Sequence, residues 1–200
     1  PLLNRPLAMT LPPGSVFKLV TAAAALESGK YTSDSPLPGP AEITLPLTDR
    51  KLGNWNGKAC GPDGMTTLKR ALEVSCNTAF AWLGLQLGAD AIAKQANKFG
   101  FETSFKVPML AAASHFPTAI DEPQTAMSAI GQFDVRATAL QMAMVAAGIA
   151  NDGVVMRPYL VSQVLGPDLS VLQSTSPSPF SRAMTKENAA VLRTMMVAVV

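Results

Sequence analysis

The chain has 200 residues, 48% of them hydrophobic and 15% charged, and its formal net charge is +2. This composition predicts one globular domain with a sizeable buried core and argues against a disordered chain. The nearly neutral charge, with no cluster of Lys and Arg, gives no indication of a nucleic-acid-binding surface.

The first third of the chain predicts a lead-in, a buried helix and a long loop. Residues 1–13 contain four prolines and are expected to be extended. A helical pattern over residues 16–26 follows and ends at Gly29. This helix is apolar on every side, which is typical of a helix in the middle of a domain. Residues 31–64 are rich in Pro, Gly, Asp and Asn, so we expect a loop with one short strand at residues 42–47.

The middle of the chain predicts five helices. Three of them follow closely on one another, at residues 67–74, 78–87 and 90–99. Gly100 is a suitable C-cap for the third. A stretch without a clear period precedes the other two, which are expected at residues 124–131 and 137–150.

The last quarter of the chain predicts a hairpin and a final helix. Residues 157–165 are rich in β-forming residues, and residues 170–173 can pair with them across a Gly-Pro-Asp turn. Residues 174–181 are Ser/Pro-rich and are expected to be a loop. The last helix begins at Thr185, a good N-cap, and reaches Val200 without a cap or a glycine. We therefore expect the domain to continue beyond this chain.

Two cysteines and one histidine do not suggest a metal site. Cys60, Cys76 and His115 lack the spacing of a closed zinc site, which takes four ligands, so we expect no metal. His115 lies in a segment of mixed pattern and is expected to be a surface or packing residue. No stretch reaches the roughly 20 apolar residues that a membrane helix needs.

A serine and a lysine at the start of the first long helix form the first candidate motif. Ser15 and Lys18 are at positions i and i+3, on one helix face. Burial lowers the pKa of a lysine, and a neutral amine can take the proton of a serine nucleophile. Amides at the helix N-terminus can stabilise an oxyanion near Ser15. Taken alone, the motif equally fits an N-cap serine and a lysine whose amine reaches the surface.

Ser75-Cys76-Asn77 lies between two predicted helices and forms the second candidate motif. Serine and asparagine are common in interhelix turns, so Asn77 could simply cap the next helix. In the functional interpretation the turn faces the first helix, the Ser75 hydroxyl relays a proton, and the Asn77 amide holds a peptide. The order and spacing of the two motifs favour the functional interpretation.

Several segments together resemble a known family. Ser-x-x-Lys at residues 15–18 and Ser-x-Asn at residues 75–77 are two of the three signature elements of penicillin-binding proteins and serine β-lactamases. The wider sequence resembles class B penicillin-binding proteins, most closely the actinobacterial septal type. The matching segments are Pro-Pro-Gly-Ser-Val-Phe-Lys at residues 12–18, Asn-Trp-Asn-Gly at 54–57, Ser-Cys-Asn-Thr-Ala-Phe at 75–80, Ile-Gly-Gln at 130–132, Leu-Gln-Met-Ala at 140–143 and Asn-Asp-Gly at 151–153.

The resemblance implies a fold. It is an α+β (mixed α/β) fold of the penicillin-binding protein transpeptidase and serine β-lactamase-like kind, an antiparallel sheet flanked by helices. The third signature element, Lys-Thr/Ser-Gly, does not occur in the sequence. We therefore expect residues 1–200 to be a transpeptidase (penicillin-binding) domain whose C-terminal part, including the later strand with that triplet, is missing.

The resemblance also implies a reaction, the cross-linking of peptidoglycan stem peptides by a D,D-transpeptidase. Ser15 would be acylated by the penultimate D-Ala of a stem pentapeptide, and Lys18 would take its proton. Ser75 would relay a proton to the departing D-Ala. Asn77 would bind the donor peptide, and Trp55 either lines the substrate groove or packs. β-Lactam antibiotics would acylate Ser15 as mimics of D-Ala-D-Ala.

The implied partners are the stem pentapeptide and β-lactams, with divisome proteins and a glycosyltransferase in addition, and no nucleic acid or cofactor. The implied location is the extracytoplasmic face of the bacterial membrane, with an anchoring N-terminal segment outside this chain. That compartment permits a disulfide between Cys60 and Cys76. Cys76 also flanks the candidate catalytic Ser75, which would constrain its side chain to point elsewhere, and both possibilities remain open.

Two other functions compete with the transpeptidase. A class A β-lactamase needs a Glu-x-x-Leu-Asn segment, and neither Glu102 nor Glu122 stands in one. The class D β-lactamases and the β-lactam sensor domains usually carry Ser-x-Val where this chain has Ser75-Cys76-Asn77. A non-catalytic divisome scaffold that keeps the fold remains open because the third element is absent.

Overall fold

The computed structural model describes residues 3–199, which form eight α-helices and two 3-10 turns. The 3-10 turns are Gly14–Phe17 and Pro62–Gly64. The helices are α1 (Arg5–Ala8), α2 (Lys18–Glu27), α3 (Leu68–Glu73), α4 (Asn77–Leu87), α5 (Ala89–Phe99), α6 (Glu122–Ser128), α7 (Ala139–Ala150) and α8 (Lys186–Val197).

Within the described residues the strands form four separate antiparallel pairs. They are β1 (Pro36–Pro38), β2 (Glu42–Thr44), β3 (Lys51–Gly53), β4 (Met65–Thr67), β5 (Val154–Met156), β6 (Gln163–Leu165), β7 (Val171–Ser174) and β8 (Pro179–Arg182). β1 pairs with β4, β2 with β3, β5 with β8 and β6 with β7. The helices supply most of the core, and the strand pairs lie around them.

Helix α2 lies at the centre of the core, as its apolar pattern predicts. Most of its residues are buried, and α4, α5 and α8 all pack against it. Its run of four alanines, residues 22–25, favours the helix and leaves room for these neighbours to approach closely. The helix that begins at Lys18 is therefore held from several sides.

Three phenylalanine rings anchor the 3-10 turn that precedes α2. The ring of Phe17 lies 5.6 Å from the ring of Phe101, edge to face, and 5.6 Å from the ring of Phe116, stacked. Phe17 is fully buried, whereas Ser15 and Val16 in the same turn are exposed. The buried Phe17 ring thus anchors the turn in the core, while Ser15 is exposed to solvent.

The predicted helices are confirmed with small shifts at their ends, but the lead-in is not wholly extended. Residues 5–8 form α1, in which Pro6 is tolerated because it lies in the first turn. Pro1 and Leu2 lie outside the described residues. The loop predicted for residues 31–64 contains β1, β2 and β3, and β4 follows it. These strands have three residues each, too few to show an alternating pattern.

The predicted strand at residues 157–165 is wrong over most of its length, because only residues 163–165 are a strand. Its pairing with the segment after the Gly-Pro-Asp turn is confirmed. β5 lies before it, and β8 lies in what was predicted as a loop, with Pro179 at the first position, where a strand accepts proline. The final helix ends at Val197, and Val200 lies outside the described residues.

Candidate active site

Ser15 is positioned by a close contact between two glycines. The Gly14 amide donates to the Gly131 carbonyl over 3.0 Å. Gly131 has a φ of +73°, and a Cβ there would lie 2.2 Å from the Gly14 carbonyl oxygen. Only glycine satisfies both conditions. Thr21 adds a second tie, because its hydroxyl donates to the Ala129 carbonyl over 2.7 Å.

Ser75 is positioned by the way α3 ends. The Cys76 amide donates to the Ala71 carbonyl and the Ser75 amide to the Leu72 carbonyl, which is the hydrogen-bond pattern of a Schellman motif. Ser75 takes the left-handed position of that motif, with a φ of +55°, where glycine is the usual residue. A serine in this strained conformation indicates that its side chain has a role there.

Asn77 begins α4 directly after this turn, and its side-chain orientation is fixed at both ends. Its Nδ2 donates to the Gly53 carbonyl over 3.1 Å, at the end of β3. Its Oδ1 therefore points to Lys18, whose Nζ donates to it over 2.7 Å. The amide cannot be flipped without losing both bonds.

The structure brings Ser15, Lys18, Ser75 and Asn77 into one hydrogen-bonded cluster. Lys18 Nζ lies 3.1 Å from Ser15 Oγ and 3.0 Å from Ser75 Oγ. It also donates to the Ser75 carbonyl over 2.8 Å. Ser75 Oγ donates to Ser15 Oγ over 2.9 Å. Two motifs about sixty residues apart in the sequence thus meet around one amine.

The Lys18 amine lies in surroundings that disfavour its charge. The residue is only 1% exposed, and desolvation by burial lowers the pKa of its amine from 10.5 to about 8. The ion pairs of residues 3–199 do not include Lys18. The nearest aromatic ring is that of Phe80, with its centroid 5.8 Å from Nζ. Within the described residues, no carboxylate therefore offsets the desolvation.

A neutral amine satisfies the hydrogen bonds of the cluster well. It has two N–H donors and one lone pair. The Ser75 carbonyl and Asn77 Oδ1 can only accept, so they take the two donors. The lone pair then remains for a hydroxyl proton. This arrangement is suited to taking a proton from Ser15.

Trp55 and His115 are not part of the cluster. Trp55 is 79% exposed and, with Asn54, lines a small surface cavity of about 130 Å³. His115 Nδ1 lies 3.0 Å from Glu102 Oε1, and both side chains are about half exposed. His115 is thus a surface residue, as its position in the sequence predicts.

Cys60 and Cys76 form a disulfide, 16 positions apart, which confirms the first of the two possibilities. Cys76 is fully buried although it stands between Ser75 and Asn77. Its sulfur lies beside Gly39, where an added Cβ would be 3.2 Å from it. The bridge thus ties the turn to the loop that contains Cys60.

Asn54 is the polar residue near the site to which sequence reasoning assigns no role. It is 9% exposed, and its side chain bonds to residues in three other segments. The resemblance does include the Asn-Trp-Asn-Gly segment at residues 54–57, but the residue of that segment with an expected substrate role is Trp55. Low exposure in a turn-rich segment is not visible in the sequence.

Metal ligands and membrane spans do not appear in the described part of the chain. Among residues 3–199, no three His, Cys, Asp or Glu side chains form a group that could hold a metal ion. The same residues include no helix whose length and hydropathy suit a bilayer span.

The class of protein follows from the fold and this cluster. A buried lysine that bridges a serine at a helix start to a Ser-x-Asn turn is the arrangement of the penicillin-recognising serine proteins. The chain belongs to the family of penicillin-binding protein transpeptidase domains, whose model matches residues 1–200.

Similar proteins of known sequence include two mycobacterial ones. The chain is 44% identical over 199 residues to the peptidoglycan D,D-transpeptidase PbpA of Mycolicibacterium smegmatis. This match covers 99% of the chain and 40% of that protein. It is 41% identical over 198 residues to PbpA of Mycobacterium tuberculosis, a match that covers 98% of this chain and 40% of that protein. The chain thus spans about two fifths of the length of these relatives.

Solved structures show the same fold. Penicillin-binding protein A of M. tuberculosis, in a penicillin G acyl-enzyme complex, matches with a TM-score of 0.95 at 40% identity, over 100% of this chain and 46% of that one. The D,D-transpeptidase domain of a peptidoglycan glycosyltransferase from Eggerthella lenta matches with a TM-score of 0.91 at 32% identity, over 99% of this chain and 50% of that one. The mixed helix-and-strand fold predicted from the resemblance is confirmed.

Proposed function

We propose that the protein containing this chain is a peptidoglycan D,D-transpeptidase that acts through an acyl-enzyme on Ser15. The observation that carries the proposal is the contact of 3.1 Å between Ser15 Oγ and the amine of Lys18, whose pKa burial lowers to about 8. The name D,D-transpeptidase of the PbpA relatives and the acyl-enzyme of the M. tuberculosis structure support it.

In the first step, Ser15 Oγ attacks the carbonyl of the penultimate D-Ala of a stem pentapeptide. The hydroxyl proton passes to the lone pair of Lys18 Nζ. The Ser15 amide lies in the first turn of its helix, where an N–H has no intrahelical acceptor, so it can donate to the oxyanion. Ser15 is exposed, so a peptide can reach it.

The proton then has to reach the departing D-Ala amine. Ser75 Oγ lies 3.0 Å from Lys18 Nζ and 2.9 Å from Ser15 Oγ, and so can accept from the protonated amine and donate to the leaving group. The amine of a second stem peptide afterwards attacks the acyl-enzyme, forms the cross-link and releases Ser15. The same groups, in reverse, remove a proton from that amine.

Asn77 and Trp55 are the proposed peptide-binding residues. One N–H of the Asn77 amide donates to the Gly53 carbonyl, which leaves the second N–H for a carbonyl of the donor peptide. Trp55 presents a large exposed ring on the turn that follows β3 and can cover one side of the peptide. β-Lactams would occupy the same site and acylate Ser15.

Hydrolysis of the acyl-enzyme is the main competing outcome, and the positions of two carboxylates argue against it. Glu102 accepts from the Phe116 amide over 2.8 Å and pairs with His115. Glu122 is exposed at the first position of α6. Neither belongs to the hydrogen-bonded cluster around Ser15, where a class A β-lactamase needs a glutamate to activate water. A β-lactamase is thus disfavoured, and a non-catalytic scaffold is the remaining alternative.

The remaining predictions concern the whole protein. We propose that a Lys-Thr/Ser-Gly strand completes the domain and provides the second oxyanion donor. The substrate lies outside the cell membrane, so we propose an extracytoplasmic location with a membrane anchor elsewhere in the protein. Divisome proteins and a glycosyltransferase are the proposed partners.

Labelling with a fluorescent penicillin tests the function. The full-length protein should form a long-lived adduct, and Ser15→Ala should form none. Ser176→Ala, a change at an exposed loop serine, is the control and should label like the wild type. A short-lived adduct would show a β-lactamase, and a wild type that never labels would show a scaffold.

A further inference from the structure

Asn54 uses its full hydrogen-bonding capacity at the base of the candidate site. Its Oδ1 accepts from the Asn77 amide over 2.9 Å and from the Thr78 amide over 3.2 Å. Its Nδ2 donates to the Pro40 carbonyl over 3.0 Å and to the Lys58 carbonyl over 2.9 Å. A primary amide has two donors and two lone pairs, so all four bonds that it can make are formed.

The two accepted bonds come from the start of α4, which has no cap of its own. Cys76 occupies the N-cap position, and its side chain makes no capping bond because it is in the disulfide. The first amides of a helix need an external acceptor. Asn54 supplies this acceptor from another segment and so fixes the position and orientation of the turn that carries Asn77.

The two donated bonds hold Asn54 itself in place. Pro40 precedes β2, and Lys58 lies on the far side of the turn after β3. Thr78 reinforces the link, since its hydroxyl donates to the same Pro40 carbonyl over 2.8 Å. Serine or aspartate could accept from the helix, but only an amide can also make the bonds that aim it.

Gly53 and Asn54 therefore hold Asn77 by its side chain and its backbone. The Gly53 carbonyl accepts from Asn77 Nδ2, and Asn54 Oδ1 accepts from the Asn77 amide. Asn77 Oδ1 in turn accepts from Lys18 over 2.7 Å. A displacement of Asn54 would thus reach the Lys18 amine through Asn77 alone.

We propose that Asn54 is a positioning residue for acylation, which sets Asn77 against Lys18 and the donor peptide. The inference rests on the proposed function, because it assumes that Ser15 is acylated with Lys18 as the base. Asn54 contacts neither reacting group, so its effect is exerted through Asn77. In residues 3–199 the polar groups that contact the Lys18 amine are all uncharged.

Two substitutions separate positioning from bulk stability. Asn54→Ala removes all four bonds without adding charge. We expect the acylation rate to fall about 10- to 100-fold, the size of effect that a displacement of a site residue by about 1 Å can have. The pH profile of acylation should be unchanged. Asn54→Asp has a similar shape and keeps the acceptor for the Asn77 amide, but it loses the two donated bonds and places a carboxylate one residue removed from Lys18, since Asn77 lies between them. A negative charge favours the ammonium form, so the pH at which acylation is half-maximal should rise by about one unit.

Asn56 provides the matched control. It is an exposed asparagine two positions away in the same turn, and its Oδ1 accepts from the Lys58 amide over 3.0 Å. Asn56→Ala and Asn56→Asp should acylate at the wild-type rate and with the wild-type pH profile.

The experiment measures the second-order rate of acylation by fluorescent penicillin, from pH 6 to 10, for the full-length protein and the four variants. Slow acylation by Asn54→Ala together with a raised pH profile for Asn54→Asp alone supports the inference. Wild-type rates and profiles in both Asn54 variants would overturn it. So would failure of both to fold, which would assign Asn54 to domain stability. A wild type that does not label at all would instead refute the proposed function.

Discussion

Replacement of Lys18 by arginine tests the acid–base chemistry of the site. The pKa of the Lys18 amine is lowered from 10.5 to about 8 because burial removes water from it. At about 1.4 kcal/mol for each unit, the buried position disfavours the ammonium by about 3.5 kcal/mol. At pH 7 about a tenth of the molecules then hold the neutral amine, roughly 300 times the fraction in a free lysine.

The wild-type rate of acylation by penicillin should therefore rise with pH and level off above about pH 8. An arginine does not deprotonate in a protein, so Lys18→Arg should acylate very slowly across the whole range. The assay is the second-order acylation rate from pH 6 to 10, with near-UV circular dichroism to verify folding. Lys94→Arg, on the exposed face of α5, is the control.

Two results would refute this reasoning. One is an arginine variant that is folded and acylates at nearly the wild-type rate, because Lys18 would then not be the base. The other is a wild-type profile that still rises steeply above pH 9, because burial would then not have lowered the pKa of the amine.

Three further predictions concern stability. The pKa of Lys18 is lower in the folded state than in the unfolded state, so the cost of burying its charge applies in full below about pH 8 and falls as the pH rises towards 10.5. The free energy of unfolding of the wild type, measured by urea titration relative to Lys18→Met, should therefore increase between about pH 8 and pH 10.5. Ser75→Gly should be more stable than Ser75→Ala by about 1 kcal/mol in thermal unfolding, since glycine adopts a φ of +55° without strain, although both lose acylation; equal stabilities would argue against strain at this turn. Reduction of the Cys60–Cys76 disulfide should lower the free energy of unfolding by about 3 kcal/mol, measured with and without a thiol reductant, and an unchanged value would show that the bridge does not constrain the unfolded chain.

The sequence predicts the local parts of the site better than the contacts between them. Ser15 and Lys18 share one helical turn, so their proximity follows from the helix period alone. Their contact with Ser75 and Asn77 depends on how α2 packs against α4, which the helix period does not give. The disulfide was one of two open possibilities because the direction of the Cys76 side chain depends on the tertiary structure of the turn.

Asn54 and the short strands show what a single sequence does not reveal. The four bonds of Asn54 go to residues in other segments, as far away as Thr78, and no local pattern marks such a residue. β5 and β8 pair across more than twenty residues, and each has only three or four positions. Elements this short depend on tertiary pairing rather than on their own propensity.

The most direct test of the account is to locate the acyl group. The full-length protein is incubated with penicillin G, digested, and the modified peptide is fragmented in a mass spectrometer. We predict that the penicilloyl group is on Ser15 and that Ser15→Ala carries none. An adduct on Ser75 or any other residue, or labelling that survives the Ser15→Ala change, would contradict the account.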